Sequence, residues 1–266
     1  MTSARIGGAT RLYGIVGDPV AQVKSPELYC ALFAAAGIDA VMVPLHVLPD
    51  HFDVAMPALM HIQNLDGLLV TVPYKARAVA LADRLGPTAS RIRALNALRR
   101  ETDGTWTGDM FDGAGFVRAA THKRHVVQGR RVALFGAGGA GSAIACELAA
   151  AGVESLSIID LQRSRAQSLA QTLRREFPDC RCDAVEAVPP ATDMIVNAST
   201  VGMRAGDGLP GEIGPLDSGT LVGDVIVSEG PTALMQHAID HGCQRVDGQE
   251  MLRGQSGALM SFFGRG

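Results

Sequence analysis

The chain has no apolar run approaching the roughly 18 residues that a membrane-spanning helix needs, and Met1 to Arg11 lacks the apolar core of a secretory signal. A cytoplasmic protein with no membrane partner is expected. Its five cysteines, Cys30, Cys146, Cys180, Cys182 and Cys243, are odd in number, scattered and without C-x-x-C spacing, which excludes a disulfide framework and points to reduced thiols. Cys180 and Cys182 flank Arg181 but lack nearby histidines, and His237, His241 and Cys243, although at ligand spacing, read as a solvated helix face. No metal site is expected. Aromatics are scarce at 5%, with one tryptophan, and the formal net charge is only −3; the basic cluster Arg91, Arg93, Arg99 and Arg100 is not interleaved with aromatics. These features exclude nucleic acid as a partner. Internal repeats, low-complexity tracts and a Ser-His-Asp elbow are also missing.

What is present, over 266 residues at 47% hydrophobic and 19% charged, describes a soluble globular protein of two ordinary domains. The most informative stretch is Arg131 to Gly141, an apolar strand that runs into a glycine turn and an Ala-rich helix. Gly136, Gly138 and Gly141 have the G-x-G-x-x-G spacing of a dinucleotide-binding turn: a tight bend, a close approach of backbone to pyrophosphate, and helix packed on strand. The helix N-terminus presents unpaired N–H groups to an anion. Such a turn also occurs for packing alone, but here a second strand, Ser155 to Ile159, ends in Asp160, near the spacing expected of the acid that binds a ribose.

Before this turn, strands are expected at Leu12–Val16, Val41–Leu45 and Gly67–Val72. Helices are expected at Pro26–Ala36, with Ser25 as its cap, around His51–His61, and at Lys75–Leu85 and Thr88–Ile92. The alternation predicts a parallel α/β sheet in the first hundred residues, closed by a hairpin over Ala97–Thr107 turning at Asp103-Gly104. Residues 1–10 are expected to fray. A helix over Gly113–His122 then leads into strands Val132–Phe135, Ser155–Asp160, Met194–Ala198 and Leu221–Val227 alternating with helices, a Rossmann-type pattern. Helices at Thr232–His241 and Glu250–Phe263 end the chain.

Several stretches, in this order, resemble the shikimate/quinate dehydrogenase family over nearly the whole chain: residues 14–20 with Lys24-Ser25-Pro26, Val70 to Lys75, Ala94-Leu95-Asn96, Gly108-Asp109 with Asp112-Gly113, Gly136 to Ala140, Asn197 to Met203, and Gly248 with Gln255. The resemblance implies an N-terminal α/β substrate domain over 1–112, to which 246–266 returns, and a Rossmann NAD(P)-binding domain over 113–245, with the active site in a cleft. The implied chemistry is reversible oxidation of a ring secondary alcohol, with hydride passing to a nicotinamide. Lys75 and Asp112 match the catalytic pair, and Ser25, Thr71, Asn96 and Gln255 match groups that bind a small-molecule substrate. Gly136, Ala137, Gly138, Gly139, Ala140, Asp160, Arg165, Asn197, Val225 and Gly248 match cofactor contacts. A first-turn Lys75 would oppose its helix dipole and call for a compensating charge, which Asp112 would supply.

The chain departs from the family at Val23, where serine is usual, Leu69 (asparagine), Ala97 (threonine), Met110-Phe111 (Asn-Thr) and Val227 (tyrosine). Asp160-Leu161-Gln162 stands where NADP users resemble Asn-Arg-Thr, so NAD is the expected cofactor, with NADP possible. The expected substrate is a related alcohol less polar than shikimate. An ordinary shikimate dehydrogenase and a non-catalytic nucleotide-binding regulator stay open as alternatives. Family members commonly carry one further helix, so Leu259, Met260, Phe262 and Phe263 are expected to form exposed apolar surface suited to a homodimer.

Overall fold

The computed structural model describes residues 6–264, which form an α/β protein of two compact units. One unit holds the chain through Phe111 together with the segment from Ser256 onward; the other is Asp112–Gln255. Residues 1–5 of the stretch expected to fray lie outside the described residues. Gly7 and Thr10, however, close a turn in which the Gly7 N–H donates to Thr10 Oγ1 at 2.9 Å, while that hydroxyl donates to Asp39 Oδ1 at 2.7 Å.

The first unit contains β1 (Arg11–Gly17), α1 (Ser25–Ala35), β2 (Ala40–His46), α2 (Phe52–Met60), β3 (Leu65–Val70), β4 (Arg84–Leu85), α3 (Pro87–Ile92), β5 (Ala97–Arg100) and β6 (Trp106–Asp109). Their order in the sheet is β2-β1-β3-β5-β6-β4. Strand β1 runs parallel to both neighbours, Tyr13 facing Met42 on one side and Gly67 on the other. Strands β3, β5 and β6 pair antiparallel, so the sheet is mixed rather than parallel throughout. The reason is the hairpin: the short turn at Asp103-Gly104 can join only antiparallel strands.

Two further expectations change. The segment read as a helix over Lys75–Leu85 is a single 3-10 stretch, Arg77–Leu81, followed by β4. The sheet edge captures it, since the Asp83 and Gly86 N–H groups donate to the Trp106 and Gly108 carbonyls at 2.8 Å each, and pairing overrides local helix propensity. Ser25 is not a cap but the first residue of α1; Lys24 occupies the cap position without a side-chain bond.

Alternation along β3 sends Leu68 and Leu69 to opposite faces. Leu68 packs with Val16, Phe52, Met56, Tyr74 and Trp106, whereas Leu69 packs with Tyr13, Tyr29, Phe33, Leu259 and Phe263. Leu259, Met260 and Phe263 are 1%, 8% and 5% exposed and Phe262 packs against the same cluster, so the expected apolar patch is covered within its own unit. That removes this ground for a homodimer. Phe263 lies so close to β3 that a Cβ on Gly67 would come within 2.6 Å of its ring, and Arg99 Nη1 donates to the Phe262 carbonyl at 2.5 Å.

The second unit contains α4 (Asp112–His122), β7 (Arg131–Phe135), α5 (Gly139–Ala150), β8 (Ser155–Ile159), α6 (Arg163–Glu176), β9 (Arg181–Ala184), β10 (Met194–Asn197), β11 (Leu221–Asp224), α7 (Ala233–Asp240), β12 (Gln244–Val246) and the start of α8 (Gly248–Phe262). Its sheet, ordered β12-β11-β10-β7-β8-β9, is parallel throughout, a Rossmann-type arrangement. The direction of winding reverses between β7 and β10, which opens a crevice at the carboxyl ends of those strands. Among the described residues no helix is long and apolar enough to cross a membrane.

Because Leu259 is buried against the first unit's sheet, Leu259→Ala is expected to cost about 2–5 kcal/mol. Thermal unfolding checks this: an unchanged midpoint would show that the end of α8 contributes no core.

Candidate active site

Each glycine of the turn after β7 has its own geometry. Gly136 has φ +92° and a Cβ there would lie 2.7 Å from the Ser199 nitrogen; at Gly141 a Cβ would lie 1.9 Å from the Gly136 carbonyl oxygen. Neither position accepts a side chain. Gly138, the cap of α5, meets nothing within 4 Å where its Cβ would be, and it offers no side-chain acceptor to the first N–H groups of the helix. An open backbone at a helix N-terminus is what a pyrophosphate requires, so this turn fits a dinucleotide.

Asp160 follows β8, and its carboxylate ties the turn down: Oδ2 accepts from the Ala137 N–H and Oδ1 from the Gln162 N–H, both at 2.7 Å. The next residue, Leu161, is fully exposed, and Arg165 is exposed in the first turn of α6. Arg163 is paired with Glu186. Across the switch point, Asn197 is buried with its whole side chain in use. Nδ2 donates to the Val201 carbonyl at 2.8 Å and to Asp224 Oδ1 at 3.1 Å, and Oδ1 accepts from the Ser199 N–H and hydroxyl at 3.1 and 2.7 Å. Val225 donates its N–H to the Asn197 carbonyl at 3.0 Å, and a Cβ on Gly248 would stand 2.6 Å from the Val225 oxygen. Asn197, Val225 and Gly248 therefore gather around Asp224, the last residue of β11. Burial raises its carboxyl to about 6, against hydrogen bonds from Thr232, Ile226 and Asn197 that favour the ionised form.

In the first unit, Thr71, Lys75 and Asn96 cluster at one end of the sheet. The Thr71 N–H donates to the Val16 carbonyl at 2.9 Å, and the Val70 N–H to the Asn96 carbonyl at 2.8 Å. Asn96 Oδ1 accepts from the Phe111 N–H at 2.9 Å, and the Lys75 carbonyl accepts from the Leu95 N–H at 2.9 Å. Lys75 thus sits in a turn, not at a helix start, and the dipole argument for its partner lapses. What positions it is Tyr74, fully buried, stacked on Phe52 at 4.2 Å and bonded through its hydroxyl to the Val47 carbonyl. Ser25 is buried at the start of α1. Val23, Leu69, Ala97 and Phe111, where the chain departs from the family pattern, all join one apolar cluster.

In the second unit, Asp112 begins α4 and is 2% exposed, and Gln255 on α8 is 6% exposed. These helices touch through glycine: a Cβ on Gly115, about one turn from Asp112, would be 2.8 Å from the Gln255 Cβ, and one on Gly254 would be 2.2 Å from the Gly115 oxygen. Among the described residues no group of three or more His, Cys, Asp or Glu is placed to hold a metal ion.

The reversed parallel sheet and the open glycine turn define a Rossmann unit fitted to a dinucleotide. A family model described as the shikimate dehydrogenase substrate binding domain matches residues 15–98. The chain is 37% identical over 259 residues to the shikimate dehydrogenase (NADP(+)) of Rubrobacter xylanophilus, spanning 95% of this chain and 90% of that one. Its fold matches that of shikimate 5-dehydrogenase from Listeria monocytogenes in complex with shikimate and NAD, with TM-score 0.85, 26% identity and coverage of 98% and 94% of the two chains. It also matches 5-ketofructose reductase of Gluconobacter sp. strain CHM43, with TM-score 0.81, 27% identity and coverage of 97% and 94%. The chain belongs to the shikimate/quinate dehydrogenase family.

The folded Asp224 carboxyl, at about 6, takes up its proton before the unfolded one, which has an ordinary value of about 3.9. Its contribution to stability therefore rises as pH falls from about 6 to about 4, by up to about 3 kcal/mol. Thermal midpoints across this window should show the wild type gaining on Asp224→Asn as pH falls; parallel curves would contradict the assignment.

Proposed function

We propose that the protein interconverts shikimate and 3-dehydroshikimate. The observation that carries this is 37% identity, across 90% of its length, to a relative named for that activity. The family's substrate positions are also kept in Ser25, Thr71, Lys75, Asn96, Asp112 and Gln255. When bound at the glycine turn, the nicotinamide dinucleotide supplies the hydride acceptor or donor. Lys75 takes the hydroxyl proton as the alcohol is oxidised and returns it in reduction, while Asp112 accepts a hydrogen bond from a substrate hydroxyl. The hydroxyl and amides of Thr71, Asn96 and Gln255 hold the remaining ring hydroxyls. In this reading Ser25, Thr71, Lys75 and Asn96 of the first unit and Asp112 and Gln255 of the second serve the substrate, and the glycine turn of the second unit binds the dinucleotide.

A second reading, an alcohol or ketone without a carboxylate, is favoured by the apolar cluster that takes in Val23, Leu69, Ala97 and Phe111. Each hydrogen bond lost to a charged group costs about 1.5–3 kcal/mol, so two lost bonds would lower kcat/KM by about 10²–10⁴-fold. The fold match to a protein named as a keto-sugar reductase supports this reading. For the nucleotide, the Asp160 carboxylate and the Arg163 pairing with Glu186 support NAD over NADP, because a carboxylate repels a 2′-phosphate and Glu186 competes for a cation that would attract one.

Steady-state oxidation of shikimate, quinate and an uncharged ring polyol, each with NAD⁺ and NADP⁺, tests these readings. Shikimate turnover with kcat/KM of about 10⁴ M⁻¹s⁻¹ or above supports the first, and preference for the uncharged polyol supports the second. No turnover on the panel would contradict both. Lys75→Met should lower kcat by about 10²–10⁴-fold with cofactor affinity intact, and near-normal turnover would remove Lys75 from the mechanism.

A further inference from the structure

Between the ends of β10 and β11 the chain runs through residues 198–220 without a helix or strand, and from Val225 to Thr232 it is again irregular. Two such segments at the crevice of a Rossmann sheet need anchors if they are to present a defined surface. One side chain anchors both. Asp224 is 1% exposed; its Oδ1 accepts from Asn197 Nδ2 and from the Ile226 N–H, each at 3.1 Å, and its Oδ2 accepts from Thr232 Oγ1 at 2.6 Å. Through Asn197, which also donates to the Val201 carbonyl, the carboxylate holds the first segment. Through Ile226 and Thr232 it holds the second, and Thr232 in turn caps α7 by accepting from the Met235 N–H at 3.2 Å.

An acceptor-only group suits this position. Three donors from separate parts of the chain converge on it, and a neutral amide would turn an N–H toward one of them. The groups that act on it are an amide, a hydroxyl and a backbone N–H, while the charge of Asp247 adds repulsion. Burying a carboxylate this way opposes folding, and a core position with no other task is served by an apolar residue.

We propose that Asp224 is a positioning residue for the dinucleotide, fixing the segments after β10 and β11 in the arrangement that receives the half of the cofactor opposite Asp160. The proposal rests on the reading that Asn197, Val225 and Gly248 contact the cofactor. The glycine turn takes the pyrophosphate and Asp160 follows β8 on one side of it, so β10 and β11, on the other side of the switch point, face the remaining half. Gly248 is drawn into the same assembly, since a Cβ there would lie 2.4 Å from the Ile226 oxygen.

The test uses the full chain with NADPH or NADH as probe, titrated by nicotinamide fluorescence without substrate, in Asp224→Asn, Thr232→Val and Thr232→Ser. Asp224→Asn and Thr232→Val should raise the Kd and KM of the nucleotide about 10-fold, with kcat at saturation within about 3-fold of wild type, the pattern of lost uniform binding. Thr232→Ser, which keeps the hydroxyl, should restore wild-type Kd. A Kd within about 2-fold of wild type in both disrupting variants, with only the thermal midpoint lowered, would overturn the proposal in favour of a purely structural role. Should Asp224→Asn fail to fold, Thr232→Val decides. Amide hydrogen exchange of the wild type tests the underlying reading separately. Nucleotide must protect residues 198–203 and 225–230; absence of protection overturns the cofactor-site reading, whereas protection with unchanged Kd overturns the positioning role alone.

Discussion

The contact between Gly141 and the Gly136 carbonyl is the constraint on which the nucleotide unit depends. At 1.9 Å from an imagined Cβ to that oxygen, no side chain fits, and α5 is pressed onto the end of β7 only because none is there. The same closeness leaves Gly136 at φ +92°, a value that L side chains rarely adopt. From this contact follow the direction of α5, the openness of its first turn at Gly138 and the reach of Ala137 to the Asp160 carboxylate. A dinucleotide site built this way has few free parts. Backbone supplies the donors and glycine supplies the room.

Two carboxylates then hold the loops on either side of that turn, in contrasting environments. Asp160 is partly exposed and accepts two backbone N–H groups, so it organises the turn while its remaining lone pairs stay available. Asp224 is buried, and its bonds are spent on the protein itself. Burial makes the second group costly to ionise, which is why its carboxyl is raised to about 6. One acid faces outward and the other inward, and both act on loop geometry.

In the first unit, polar residues fixed by the backbone stand beside a continuous apolar cluster. The backbones at Thr71, Lys75 and Asn96 are tied by main-chain bonds to Val16, Leu95 and Val70, and the Asn96 side chain and the buried Tyr74 ring next to Lys75 add further anchors. Leu69 and Ala97 belong to the apolar cluster of Tyr13, Phe33, Leu259 and Phe263 rather than adding hydrogen bonds to that set.

The Rossmann-type sheet was legible in the residues, because glycine spacing and buried parallel strands are local signals tied to one geometry. Strands β7, β8 and β10, helices α4 and α5 and the hairpin at Asp103-Gly104 were legible for that reason. The family was legible as well, since its motifs recur in order along the chain. Tertiary structure alone decided the rest. The segment after Lys75 became a sheet edge because its N–H groups found the Trp106 and Gly108 carbonyls, partners more than twenty residues away that no local propensity reports. Leu259, Met260 and Phe263 became core because the sheet offers Gly67 and Tyr13 as a floor for them. Asp224 was hidden at the end of an apolar strand, and only the fold, by bringing Asn197, Ile226 and Thr232 to its two oxygens, shows why a charge is buried there.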